Sequence, residues 1–171
     1  STLRLAMKKR RAALDPLARA AAADGVAAQL DGLAEWHTDE TIAGYWAVGG
    51  ELLLHRAAAA CTRRGARWLL PRLDGGRLRF APWRAGAPIE ANRFGIPEPT
   101  TPLDQCLLPA ALELVLVPLL AFDRRGQRLG SGGGWYDRSF AFLRGGERPR
   151  EPLRVGIGCS WQEVDWLPAE P

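Results

Sequence analysis

The chain is poor in the residues that build disulfide frameworks and transition-metal sites. Cys61, Cys106 and Cys159 are odd in number, far apart and without CxxC spacing, and there are only two histidines. This argues against a disulfide scaffold or a zinc site, and predicts three small buried thiols in a reducing, cytoplasmic compartment. His37 and His55 read as incidental helix or loop residues, and no Ser-His-Asp arrangement is present. No apolar run reaches the ~18 residues of a membrane span. The start, STLRLAMKKRRAAL, sets its basic residues in a helical pattern and lacks the apolar core of a signal peptide. Lysine is scarce as well: Lys8 and Lys9 are the only two among 23 cations. The formal charge of +4 is therefore carried by arginine, whose planar fork suits phosphate and carboxylate.

There is no internal repeat and no low-complexity linker. The 171 residues read as one domain, residues 1–171, long enough to bury about two-thirds of the unfolded surface. Residues 3 to about 33 read as helical, broken and restarted at Asp15-Pro16. KKRR at positions 8 to 11 reads as a solvated helix face. TIAGYWA (41–47) reads as a strand ending at Gly49-Gly50, and ELLLHRAAAACTRRG (51–65) as a helix closed by Gly65. ARWLLP (66–71) reads as a strand that Pro71 terminates, and RLRFAPW (77–83) as a strand of a hairpin. The proline-rich stretch from Arg84 to Leu103 reads as a long ordered loop. LELVLVPLL (112–120) is the most continuous apolar run, as expected of a central parallel strand buried on both faces. A helix from about Gly134 to Leu143 and a last strand, LRVGIG (153–158), complete the pattern. Strand–helix alternation of this kind predicts an α/β fold, three-layer α/β/α, with a mostly parallel central sheet.

The densest chemical signal is RLGSGGGWYDR at 128–138. Glycines after a buried parallel strand let backbone approach a ligand without Cβ clashes and can turn several N–H groups to one side, forming an anion cradle ahead of a helix. Arg128 and Arg138 flank it, and Asp137 could hold a divalent cation shared with phosphates. The same GSGGG is compatible with a plain flexible turn. It is neither a Walker loop, since no Gly-Lys-Ser/Thr follows, nor a dinucleotide fingerprint, since the glycines come late in the chain.

FDRRGQRLGSGGGWYDR closely resembles the FDxxGxRLGxGxGYYDR signature of the 5-formyltetrahydrofolate cyclo-ligases. The resemblance extends to LRLAMKKRRAAL, IAGYWAVGGELLLH, RWLLPRL, FGIPEP and VGIGCSWQEVDWLP, which with the glycine block make six blocks in the family's order. It implies an ATP- and Mg²⁺-dependent enzyme that turns 5-formyltetrahydrofolate into 5,10-methenyltetrahydrofolate with release of ADP and phosphate. The partners expected are the two small-molecule substrates, with neither nucleic acid nor membrane, and the chain is expected to be a monomer. By motif position, Arg4, Arg128, Leu129, Gly130, Ser131, Gly132, Gly133, Gly134, Trp135 and Tyr136 are implied to bind ATP, with Arg128 and Tyr136 catalytic. Val48 and Glu51 are implied to contact the folate together with Ser131, Gly132, Gly133, Gly134 and Trp135, and Asp137 to hold Mg²⁺. Trp135 stands where the family has its first Tyr, and Gly133 where some relatives have Lys. The family pattern also has a Lys four residues before position 4 and an Asp beyond the closing Leu-Pro, neither within the 171 residues. Two other readings remain open: a basic nucleic-acid-binding protein, from the charge and KKRR with Trp36 and Trp46 nearby, and, from the resemblance, a nucleotide-binding regulator derived from the ligase.

Overall fold

The computed structural model describes residues 1–145 and 151–169. Two helices open the chain, α1 (Thr2–Ala12) and α2 (Pro16–Asp31). The Ser1 side chain accepts from Arg4 N–H, and Asp15 accepts from Leu17 N–H with Pro16 at the first helical position, where its missing donor costs nothing. A short α3 (Ala34–Thr38) leads to β1 (Thr41–Ala43), then α4 (His55–Arg63), β2 (Arg67–Asp74) and β3 (Arg77–Pro82). A small two-stranded arm follows, β4 (Ile89–Ala91) with β5 (Pro97–Pro99). The chain then runs through β6 (Leu114–Pro118), a ribbon of β7 (Ala121–Phe122) and β8 (Arg128–Leu129), α5 (Trp135–Ser139) and β9 (Leu153–Ile157).

The main sheet has the order β3-β2-β1-β6-β9. β2, β1, β6 and β9 are parallel, and β3 is antiparallel to β2 at one edge. The expected mostly parallel sheet covered on both faces is thus the observed one. β6 explains why. Leu114 and Leu116 face the layer of α2 and α4 with Ile42, Trp68 and Leu70, while Val115 and Val117 face Leu69, Leu112 and Phe140 on the other side. An interior strand buried on both faces must be apolar at every position. Truncating any of these leucines to alanine costs about 2–5 kcal/mol. A third cluster, Met7, Leu120, Ala121, Leu129 and Leu167, fastens α1 to the ribbon and to the C-terminal segment.

Several boundaries differ from the sequence expectation. β1 stops at Ala43 instead of Ala47, with Gly44 N–H making a last bond to the Leu69 carbonyl; only glycine fits at 44, because a Cβ there would come within 2.0 Å of the Trp68 ring. The helix expected from Glu51 begins at His55, because Leu52 and Leu54 are spent in the core and Glu51 is bonded to Val48 N–H. Pro71 does not end β2. Leu69 accepts from Gly44 N–H on the β1 side, and Pro71, two residues on, faces that same side beyond the end of β1, so its missing N–H forfeits no ladder bond. The expected loop 84–103 contains the β4–β5 arm. The helix expected over 134–143 is a five-residue α5 followed by a 3₁₀ turn, Ala141–Leu143. No helix among the described residues is long and apolar enough to cross a membrane. The three cysteines are free, Cys61 and Cys106 buried and Cys159 partly so, and burial pushes the Cys61 thiol up to about 11.

Candidate active site

In a parallel sheet the strand ends open onto a crevice that the connecting loops must line. Here the loops after β1 and β6 both leave the sheet at their carboxyl ends, and a cleft of about 210 Å³ lies between them. One wall is the glycine stretch: Gly130, Ser131, Gly132 and Gly134, with Arg128, Trp135, Tyr136 and Asp137. Val48 and Glu51, either side of the Gly49-Gly50 turn, line the cleft as well. Arg4, on α1, lines the cleft from the side, its Nε donating to the Gly130 carbonyl at 3.0 Å.

The cradle holds its shape through backbone that only glycine adopts easily. Gly132 and Gly134 have φ of 111° and 67°. Gly133 does not; it is required by proximity instead, because a Cβ there would meet the Trp135 ring at 2.7 Å. Arg138 braces the loop from outside, donating to the carbonyls of Gly133 and Gly76 and lying over the Trp135 ring. Inside, Arg128 Nη2 donates to Asp137 Oδ1 at 2.7 Å, and the same guanidinium sits 5.8 Å from the centre of the Tyr136 ring.

Glu51 Oε2 accepts from Val48 N–H at 3.0 Å. Burial pushes the Glu51 carboxyl up, while the Val48 N–H and Arg11 pull it back. Tyr45 is buried and donates to the Leu52 carbonyl, and burial holds its phenol well above the ordinary range. Burial raises Tyr136 too, with Glu51 adding to the rise and Arg128 opposing it. Tyr136 is therefore a neutral phenol at physiological pH, available as a hydrogen-bond donor.

The cleft does not gather every residue singled out in the sequence. Leu129 turns its side chain into the core beside Met7 and Leu167, and Gly133 does not line the cavity. Others went unnoticed. The β4–β5 arm brings Asn92, Phe94, Ile96 and Glu98 to the cleft, with Phe94 edge-on to Trp135 at 5.9 Å. Glu98 anchors that arm, its carboxylate accepting from Arg72 Nε, Leu73 N–H and Asn92 Nδ2. The FGIPEP block was the available signal, but nothing local said which way it faces. KKRR is only in part a solvated face: Lys8, Lys9 and Arg10 are exposed, whereas Arg11 is buried and lines the cleft.

Fold and cleft together define an α/β protein with a small-molecule site at the carboxyl ends of its parallel strands. The sequence model of the 5-formyltetrahydrofolate cyclo-ligase family matches residues 1–171, and the chain belongs to that family, a family of ligases. The 5-formyltetrahydrofolate cyclo-ligase of Haemophilus influenzae is 30% identical over 171 residues, covering 98% of this chain and 89% of its own length. That of Mycolicibacterium smegmatis is 33% identical, covering 100% of this chain and 87% of its own. The NMR structure of Aquifex aeolicus 5,10-methenyltetrahydrofolate synthetase superposes with a TM-score of 0.82 at 27% identity, over 99% of this chain and 82% of that one. The fold is also that of a Mycoplasma pneumoniae 5,10-methenyltetrahydrofolate synthetase, with a TM-score of 0.75.

Proposed function

We propose that the protein, acting as a single catalytic unit over residues 1–171, binds ATP and 5-formyltetrahydrofolate in the one cleft and joins two atoms of the folate at the expense of ATP. A formyl amide oxygen is a poor leaving group. It attacks the γ-phosphorus, forming an O–P bond as the bond to the ADP oxygen breaks. The folate's second nitrogen then attacks the formyl carbon, loses its proton, and the C–O bond breaks with departure of phosphate. The ring closes as 5,10-methenyltetrahydrofolate, with ADP and phosphate as the other products.

Phosphoryl transfer demands positioning and charge neutralisation more than a nucleophilic side chain. Arg4 and Arg128 reach the cradle from two elements and supply the charge for the phosphates, while the open backbone of Gly130, Ser131, Gly132 and Gly134, braced by Gly133, lets them approach. Tyr136, neutral and flanked by Arg128, is a hydrogen-bond donor for the phosphate oxygens, on which negative charge is borne during transfer. Glu51, which also lines the cleft, accepts from the pterin amino and ring N–H groups beside Val48, and Trp135 supplies an aromatic wall. Asp137 fits a Mg²⁺ ion: it is the acidic residue of the glycine block, half-buried and lining the cleft, and Mg²⁺ often takes one or two carboxylates beside phosphates. A Mg²⁺ ion bound there supplies further neutralisation of phosphate charge. The reading extends to a cytoplasmic monomer that binds neither nucleic acid nor membrane; the three free thiols support the compartment.

The observation that carries the reading is that one cavity joins an arginine-flanked glycine loop to a buried carboxylate wall. The test is to mix protein, ATP, Mg²⁺ and 5-formyltetrahydrofolate and follow the methenyl absorbance. Product is expected only when all three additions are present. ATP binding without product under those conditions favours the regulator reading and overturns this one.

A further inference from the structure

Arg11 belongs to a basic run that reads as solvated, yet it is only 8% exposed. Its guanidinium spans three segments. Nε donates to the Gly49 carbonyl at 3.0 Å, Nη1 donates to the Leu119 carbonyl at 3.2 Å, and Nη2 lies 3.9 Å from Glu51 Oε1. Gly49 and Gly50 have φ of 58° and 80°, and a Cβ on Gly50 would come within 2.6 Å of the Arg11 carbonyl oxygen. Helix α1 therefore lies directly against the turn that presents Glu51. Arg4 and Arg11 sit about two turns apart on the same face of α1, and Arg4 reaches the cradle from there.

We propose that Arg11 is a positioning residue for folate recognition: it ties Glu51 and the Gly49 carbonyl of its turn to the Leu119 carbonyl just after β6, and so sets the affinity for 5-formyltetrahydrofolate. This rests on the assignment of Glu51 to the pterin. The groups facing Glu51 are Arg11 from α1, Tyr45 from the segment after β1, Tyr136 from α5, and the Val48 N–H; Arg19 of α2 adds its charge near Arg11. Among these, Arg11 is the cation at ion-pair distance from the carboxylate. Burial by itself favours the neutral Glu51 carboxyl and keeps it protonated to higher pH, and a protonated carboxyl cannot accept two N–H groups in the same way. The guanidinium stays charged when desolvated, and its fork can engage two carbonyls and a carboxylate at once. A lysine ammonium at that position can satisfy only part of this set.

The experiment compares the full chain with Arg11→Lys, Arg11→Met, Glu51→Gln and the double variant Arg11→Met/Glu51→Gln, in the presence of Mg-ATP. Arg11→Lys is expected to raise the KM for 5-formyltetrahydrofolate about fivefold and Arg11→Met more than about tenfold, with kcat and the KM for ATP each changing less than about twofold. The acidic limb of kcat/KM for the folate should move to higher pH in Arg11→Met and disappear in Glu51→Gln. In the Glu51→Gln background, Arg11→Met should add less than about twofold, as coupled residues do. Equal rises in both KM values, or an undiminished effect of Arg11→Met in the Glu51→Gln background, overturn the positioning role and leave Arg11 a scaffold residue. If Arg11→Met fails to fold, Arg11→Lys decides by the same comparison. An unchanged folate KM in Glu51→Gln itself overturns the assignment beneath the proposal.

Discussion

Arg128 and Asp137 are paired with each other across the glycine cradle, Nη2 to Oδ1 at 2.7 Å. The cation assigned to phosphate and the carboxylate assigned to metal thus neutralise one another. Their side chains are 22% and 29% exposed, so the pair is partly solvated and holds the fold together only weakly, about 0–1 kcal/mol. Phosphate oxygens and a divalent cation can take over both partners without leaving a charge alone.

Asp137→Asn is accordingly expected to leave the ligand-free melting temperature nearly unchanged, to lower turnover by about 10²-fold or more, and to raise the Mg²⁺ concentration needed for half-maximal rate. Thermal denaturation and a Mg²⁺ titration check the two halves. Unfolding with an unaltered Mg²⁺ requirement would make Asp137 a structural residue only.

Gly132→Val should weaken ATP binding at least about tenfold, roughly 1.4 kcal/mol, because a β-branched residue resists φ of 111° and narrows the approach to the phosphates. The loop is exposed, so the circular dichroism spectrum should not change. ATP affinity within about twofold of the parent would show that the nucleotide lies elsewhere.

Glu98, on β5 of the arm, is buried and joined to Arg72, Leu73 and Asn92. Glu98→Ala should cost about 1.5–3 kcal/mol in urea unfolding, since it removes hydrogen bonds to a charged acceptor. It should also raise the folate KM by loosening the segment that carries Phe94 and Ile96. A stability loss with unchanged KM would separate the arm from the site.

Asp123 ties the end of the chain to the turn before the cradle. Burial pushes its carboxyl up, but bonds from the Arg125 guanidinium and from the N–H groups of Leu167, Gln127 and Arg125 outweigh this and hold it at about 2. A carboxyl depressed in the folded state gives stability that is complete above its unfolded value, ~3.9, and is lost as the pH falls through the folded one. Melting temperature should therefore drop between about pH 4 and pH 2, and Asp123→Asn should flatten that part of the curve while lowering stability at neutral pH. An acid limb of the same steepness in the variant would assign it to other carboxylates.

What the sequence determines by itself here is local or one-dimensional. The Asp15-Pro16 restart is a capping geometry confined to a few residues, and the run Leu114–Pro118 is apolar throughout because both its faces meet a covering layer. The crowding of glycine between Arg128 and Trp135 marks a backbone with special φ, which Gly132 and Gly134 adopt. Tertiary structure decided the rest. Arg11 and Lys9 look alike along a helix, and only the Gly49-Gly50 turn, 38 residues further on for Gly49, puts one of them in the interior. Leu129 stands inside the glycine motif yet faces the core, because the β7–β8 ribbon alternates its side chains between the two sides. The arm from Ile89 to Pro99 lacks a clear hydrophobic period, since its place is set by the single buried carboxylate of Glu98 and by Phe94 meeting Trp135. Such contacts join residues far apart in the chain, and no spacing rule encodes which distant partner a side chain will meet.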